Sequence, residues 1–335
     1  MTDDKKFLLI GGSGRSGTTI LCKTMSQHPD LTDVPEWRFM TDPDGVVDFV
    51  RQSLAPNESP FHYDRRVKRL ERVLKGVTKS GGIGGVLGAG RLRGLAQRLS
   101  GRNLAPLYAR TDAQSFAPNF TRLSDEFLAR LRRETFEGYW VGMAPGERAQ
   151  VSVPVLDYDE IIAAAADFLR GVAADVCAYQ TARWHLEKNT WNILWFDRIL
   201  EILPEAKLIH IYRDPRDVCC SFANQSWMPD DRISASRVYQ RLMDRWFELR
   251  ARLPEGSFME LSLESLTADP ERYFHHICDF WGVPFHGDLL AHQLTDASFG
   301  RWRKELSDYE STAINLITEQ TRQMYDYDSA DTVGK

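Results

Sequence analysis

Short runs of apolar residues alternate along this chain with longer stretches in which apolar positions recur every three or four residues. The runs FLLI (7–10), LTDV (31–34), WHLEK (184–188), KLIHIY (207–212) and FMELSL (258–263) predict β-strands, and the stretches between them predict amphipathic helices. That alternation predicts an α/β fold, a central and mostly parallel sheet flanked by helices. The first helix is expected to start near Gly17, to bury Leu21 and Met25 one turn apart, and to stop before Pro29. A second opens at Asp214-Pro215, a capping residue followed by proline at the first helical position, and runs through Val218 and Phe222. Ser307-Asp308-Tyr309-Glu310 has the spacing of a capping box and opens a third.

One interval breaks the alternation. Residues 42–150 separate the second expected strand from the third, too long a connection to lack structure of its own. It reads as a large, mostly helical, basic insertion within a single domain spanning 1–335, and is expected to form an acceptor-binding cap. From Arg65 to Arg102 it holds eleven Lys or Arg residues against one acid, Glu71, and it includes the glycine-rich run 81–85. Val67, Leu70, Val73 and Leu74 fall on one helical face. The basic segment 65–102 therefore reads either as a solvated helical face or as a cap that binds an anionic acceptor or an anionic membrane surface. Nucleic acid is not expected, because no recognition module is present and few aromatics interleave with the charges.

Composition narrows the picture. A chain of 335 residues, 43% hydrophobic and 27% charged, can bury a substantial core. Its formal net charge of −5 exerts no global pull on polyanions, so anion binding has to be local. The five cysteines show no C-x-x-C spacing and are odd in number, which predicts buried thiols rather than a disulfide framework. The longest uninterrupted apolar stretch, Ile161 to Ala166, is too short to span a bilayer, and the N-terminus lacks a signal peptide's layout. A cytoplasmic protein is expected, peripheral at the membrane if the basic segment docks there. Nothing in the sequence fixes the oligomeric state.

The candidate chemistry starts in IGGSGRSGTT (10–19), which follows the first strand and nearly spells the phosphate loop G-x-x-x-x-G-K-[ST]. Gly12 and Gly17 keep the spacing, but Thr18 stands where the lysine belongs and Arg15 appears inside the loop. Glycines at a strand-to-helix turn let backbone N–H groups converge on an anion at a helix N-terminus. Without the lysine that reaches β- and γ-phosphates, a triphosphate is disfavoured. A second constellation, IYRDPRDVCCS (211–221), puts Arg213 at the end of a predicted strand and Ser221 two turns into the next helix. Both would share the sheet's carboxyl edge with the glycine loop, where α/β folds bind ligands. The competing reading is a surface network of Arg213, Asp214, Arg216 and Asp217.

These two stretches resemble the signatures of sulfotransferases that use 3′-phosphoadenosine 5′-phosphosulfate (PAPS), the bacterial and carbohydrate-type branch in particular. EKNTW (187–191) is similar to that branch's E-K-[ST]-P segment, SFGRWRK (298–304) to its late loop, and ESLTADPERYFHHICDFWGVPF (264–285) to its C-terminal helical region. The resemblance covers about 1–40 and 180–305. It implies a P-loop-like sulfotransferase fold in which Gly14, Arg15, Ser16, Gly17, Thr18 and Thr19 cradle the phosphosulfate. It further implies that Arg213 and Ser221, with Gly300, Arg301 and Trp302, take the 3′-phosphate. Two departures stand out: Arg15 replaces a lysine common in the family, and Thr190 replaces the usual proline.

Sulfuryl transfer to an alcohol needs in-line positioning, charge stabilisation at the leaving oxygen and a base for the acceptor's proton. Arg15 and Lys188 are the candidate cations. No metal is expected, since no His/Asp/Glu cluster has ligand spacing. Glu36, in VPEWRF at the same sheet edge, is the candidate base, partly desolvated by Trp37, and the resemblance implies a glutamate there. His185 is the reserve base. The expected reaction yields 3′,5′-adenosine bisphosphate (PAP) and a sulfate ester of a small-molecule, carbohydrate or lipid acceptor. The competing classes are a P-loop kinase lacking the standard lysine and a non-catalytic PAP-binding protein.

Overall fold

The computed structural model describes residues 6–54, 59–78, 112–138, 149–291, 294–296 and 299–328. Six strands are described: β1 (Phe7–Gly11), β2 (Thr135–Gly138), β3 (Ala149–Ser152), β4 (His185–Lys188), β5 (Ala206–Tyr212) and β6 (Phe258–Ser262). The chain divides into two compact units. One comprises residues 1–36, 186–200 and 204–335, and the other 37–185 and 201–203, so that a division falls within β4.

The first unit is built on a four-stranded sheet in the order β4-β1-β5-β6. β1 pairs parallel to β5, with Gly11 opposite His210, and β5 pairs parallel to β6. All five residues of β1 are buried, as a strand covered on both faces requires. The helix Thr18–Met25 follows, with Leu21 and Met25 fully buried, and its C-cap Ser26 precedes Pro29. After β5, Asp214 accepts a hydrogen bond from Arg216 N–H and Pro215 opens the helix Pro215–Phe222. The capping box at Ser307 and Glu310 forms with both reciprocal bonds and opens the helix Asp308–Ile317.

The expected strand at 31–34 does not form; only Leu31 makes an isolated bridge. The reason is a side-chain contact. The Thr32 hydroxyl donates to Leu186 C=O at 3.3 Å and accepts from Leu186 N–H at 3.0 Å. A side chain thus supplies β4 with hydrogen bonds that a backbone ladder would otherwise provide.

The second unit packs the helices Pro60–Gly76, Phe120–Leu131 and Tyr158–Gln180 with the antiparallel pair β2–β3. Its core includes Phe39, Phe120, Phe127 and Phe168, with the Phe127 and Phe168 rings stacked at 4.9 Å. Val67, Leu70, Val73 and Leu74 are fully buried, so the apolar stripe of the helix Pro60–Gly76 is spent inside this unit. Buried Asp64 ties that helix to β3 by accepting from Ser152 N–H and its hydroxyl, at 3.0 and 3.1 Å. Its basic residues are paired in part: Lys68 with Asp64, and Lys75 with Glu71, each at 2.6 Å. Hydrogen bonds from Arg132 and Lys75 hold the Glu71 carboxyl down at about 2 despite partial burial. Residues 65–78 are thus a salt-bridged surface over a buried stripe. The remainder of the basic segment, including the glycine-rich run, lies outside the described residues.

Candidate functional site

Three groups of side chains gather along the sheet edge where β1, β4 and β5 end. The first is the loop after β1. Gly14, Arg15 and Gly17 have positive φ, at 86°, 58° and 104°. Left-handed residues in a strand-to-helix turn rotate successive N–H groups toward one point, the geometry of an anion nest. Glycine is favoured at two of these positions by φ, and the space for a side chain there is tight. A Cβ on Gly14 would come within 3.2 Å of the Trp227 ring, and one on Gly17 within 2.8 Å of Leu263. Ser16 is fully buried, yet among the described residues its Oγ has no hydrogen-bond partner. Such an atom is costly to leave unsatisfied, and it suits a ligand oxygen held in the loop. Thr18 is buried at the start of the helix, while Thr19 is exposed. The cation of the loop reaches sideways: Arg15 Nε donates to Ser221 Oγ at 2.9 Å, joining two residues assigned to opposite ends of the ligand.

The second group is centred on Lys188 at the end of β4. Its Nζ lies 2.5 Å from Glu36 Oε1 and 3.4 Å from Thr19 Oγ1. The lysine side chain is 12% exposed and that of Glu36 22%, so the pair is partly desolvated but reachable. The loop that carries Lys188 is anchored beneath: Asn192 Nδ2 donates to buried Glu187 at 2.8 Å and to Ile10 C=O at 3.1 Å. Gly12 N–H points to Thr190 C=O at 3.5 Å, so the residue standing in place of proline lies beside the glycine loop. Trp37 is fully buried against His185 and Phe39, at ring distances of 4.3 and 5.0 Å. Burial drives the His185 imidazole down to about 3, so the reserve base is a neutral packing residue.

The third group surrounds Arg213, which β5 delivers to the edge. The residues Arg213, Asp214, Arg216 and Asp217 form no surface network; all four are buried. They sort into two pairs, Arg216 with Asp214 at 2.8 Å and Arg213 with Asp217 at 3.2 Å. The late loop joins the second pair, since Gly300 N–H and Trp302 N–H donate to Asp217 at 2.8 and 3.1 Å. Phe299 lies over the Arg213 guanidinium at 5.7 Å and Trp302 over that of Arg216 at 4.0 Å. Arg301 turns outward and pairs with Glu305 at 2.6 Å.

One aromatic residue at this edge, Trp227, carries no readable signal in the sequence. Trp227, half exposed, stands against Gly14 with Trp191 and Phe222 edge-on to it at 6.5 and 5.6 Å. A separate cavity of about 330 Å³ opens beyond the helix Pro215–Phe222, lined by Asn224, Asp230, Asp231, Arg232 and Glu310. It contains none of the residues of the three groups. Its Arg232 is paired with Glu310 at 3.2 Å. Among the described residues no group of three or more His, Cys, Asp or Glu is placed to hold a metal ion, and no helix is long and apolar enough to cross a membrane.

Comparison with known proteins adds the family. The model of a family described as the sulfotransferase family matches residues 112–287, just over half of the chain. The match includes Lys188, Arg213 and Ser221 and leaves the glycine loop, Glu36 and the late loop outside it. Two solved structures share the fold. The sulfotransferase domain of the olefin synthase of Synechococcus PCC 7002 is 19% identical with a TM-score of 0.52, over 96% of each chain. The sulfotransferase domain from the curacin biosynthetic pathway is 14% identical with a TM-score of 0.50, over 95% of this chain and 97% of that one. No curated protein matches the sequence.

Proposed function

The chain belongs to the sulfotransferase family, and from that premise we propose that it transfers a sulfuryl group from PAPS to the hydroxyl of a small-molecule, carbohydrate or lipid acceptor. The observation that carries this reading is the position of Lys188, whose ammonium is within reach of both the Glu36 carboxylate and Thr19 of the glycine loop. A cation, a base and an anion loop meet at one point.

When bound, PAPS supplies the sulfuryl group and leaves as PAP. The N–H groups from Gly14 to Thr19 and the Ser16 hydroxyl hold the phosphosulfate, a role that fits the buried, unsatisfied Ser16 Oγ and the left-handed turn. Arg213 and Ser221 hold the 3′-phosphate, and the late loop encloses it. Glu36 takes the proton of the acceptor hydroxyl. Lys188 and Arg15 stabilise negative charge on the transferring sulfate and on the oxygen that departs with PAP. Preorganised cations in a partly dry site act more strongly there than in water.

Thermal unfolding tests the donor without knowledge of the acceptor. A ligand at a hundred times its dissociation constant stabilises the native state by about 2.7 kcal/mol, enough to raise the midpoint by several degrees. PAP in the presence of EDTA is expected to give that shift and ATP with magnesium is not. The reverse result would move the protein to a kinase reading.

A further inference from the structure

The geometry points to Asp217 as a positioning residue for the phosphate end of the site, an inference that rests on the donor reading above. Asp217 lies in the first turn of the helix Pro215–Phe222, where the helix dipole favours a carboxylate, and it is only 2% exposed. A buried carboxylate needs several donors, and this one draws them from both sides of the site. Its Oδ2 is ion-paired with Arg213 Nη2 at 3.2 Å and accepts from Gly300 N–H at 2.8 Å, and its Oδ1 accepts from Trp302 N–H at 3.1 Å.

Two consequences follow for the groups that would meet a 3′-phosphate. One edge of the Arg213 guanidinium is held by the carboxylate, which fixes the plane and direction of its other N–H groups. The late loop is fastened as well, with Gly300 in a left-handed conformation, φ 66°, and Phe299 laid over the guanidinium. Residues 299–301 lie outside any strand or helix and lead into the short helix Trp302–Glu305, and the two bonds to Asp217 fasten this turn to the helix Pro215–Phe222. The Gly300 and Trp302 amides are therefore committed to Asp217, not directly to a ligand. Asp217 touches no phosphate itself; it makes the arginine and the loop a single preformed wall, so that binding does not have to order them.

The test compares PAP with 5′-AMP, which lacks only the 3′-phosphate, by calorimetric titration of the full chain. The wild-type protein is expected to prefer PAP by roughly tenfold or more, the scale of a charged hydrogen bond. Asp217→Asn offers an amide that cannot accept all three donors. It is expected to cut that preference at least about fivefold while 5′-AMP affinity moves less than about twofold, a selective loss that general destabilisation does not produce. An unchanged preference in Asp217→Asn would overturn the inference alone. A wild-type protein that does not distinguish PAP from 5′-AMP would overturn the donor reading and the inference with it. Should the variant not fold, hydrogen exchange of the wild-type protein decides. The Gly300 and Trp302 amides are expected to be protected before PAP is added, and fast exchange of both without ligand would sink the idea.

Discussion

Lys188 Nζ sits 2.5 Å from Glu36 Oε1, although 152 positions separate the two residues in the chain. The contact joins the end of β4 to the loop that follows the Thr32 bridge, and Thr19 brings the glycine loop to the same ammonium. The contact puts the proposed base and the proposed cation in direct partnership, which makes them separable by mutation.

Glu36→Gln keeps the size of the side chain and a carbonyl to accept from Lys188, but removes the base. Turnover with PAPS and any competent acceptor is expected to fall by at least about a hundredfold, with PAP affinity within a factor of about two. Near-normal turnover would exclude Glu36 as the base and return attention to the remaining groups at the edge.

Arg213→Ala deletes the buried guanidinium that β5 carries to the site and leaves Asp217 without one of its donors. PAP binding is expected to weaken by roughly 1.5–3 kcal/mol, the scale of a hydrogen bond to a charged group, while 5′-AMP binding changes little. Equal losses for the two ligands would place the 3′-phosphate elsewhere.

The buried imidazole of His185 makes stability depend on pH in a defined direction. Burial lowers it from 6.5 to about 3. The native state therefore stays unprotonated through a range where the unfolded chain binds a proton. Its contribution to stability is complete above pH 6.5 and is lost as pH falls toward 3, with a slope of up to about 1.4 kcal/mol per pH unit. Glu260 adds to the loss below 4.5. Burial raises that carboxyl, but the bonds from His210, Tyr325 and Trp246 outweigh it and hold it at about 2. Urea midpoints at pH 7, 6 and 5 are expected to fall in the wild-type protein and to flatten in His185→Phe. Parallel slopes for the two proteins would mean the ring is protonated when folded.

The thiols are expected to be inert in the native state. Burial pushes Cys22 and Cys220 up to about 12 and Cys177 and Cys278 up to about 11, and Cys219 is also raised. At pH 8 brief iodoacetamide treatment should label at most half-buried Cys177, whereas labelling in urea should reach all five, as read by mass spectrometry. Rapid native labelling of Cys22 would show that its helix opens far more readily than its burial implies.

Much of this was legible in the chain because the signals are local. FLLI and KLIHIY read as strands because sheets covered by helices need near-continuous apolar runs, and FMELSL because it alternates as a half-buried edge strand does. The glycine loop was legible because left-handed φ at Gly14 and Gly17 restricts the residue choice at those positions. The run LTDV misleads because β-propensity describes a residue's fit to a pleated surface, while here the run meets β4 through the Thr32 side chain, whose hydroxyl bonds Leu186. Arg213 and Asp217 were visible as charges, but their burial was not. Charge and spacing alone fit a solvated network equally well, and desolvation depends on what packs above them.

The sequence by itself determined four of the strands, the helix caps, the glycine turn and the ends of the strands that carry Lys188 and Arg213, since each follows from backbone preference or from the period of apolar residues. Tertiary structure alone decided which charges meet. The pairing of Lys188 with Glu36, the reach of Arg15 to Ser221 and the hold of Asp217 on Gly300 and Trp302 all span long stretches of chain. No local propensity encodes such contacts; they exist because sheet order and packing bring distant loops to one edge, where burial leaves a charged group no partner but another part of the protein.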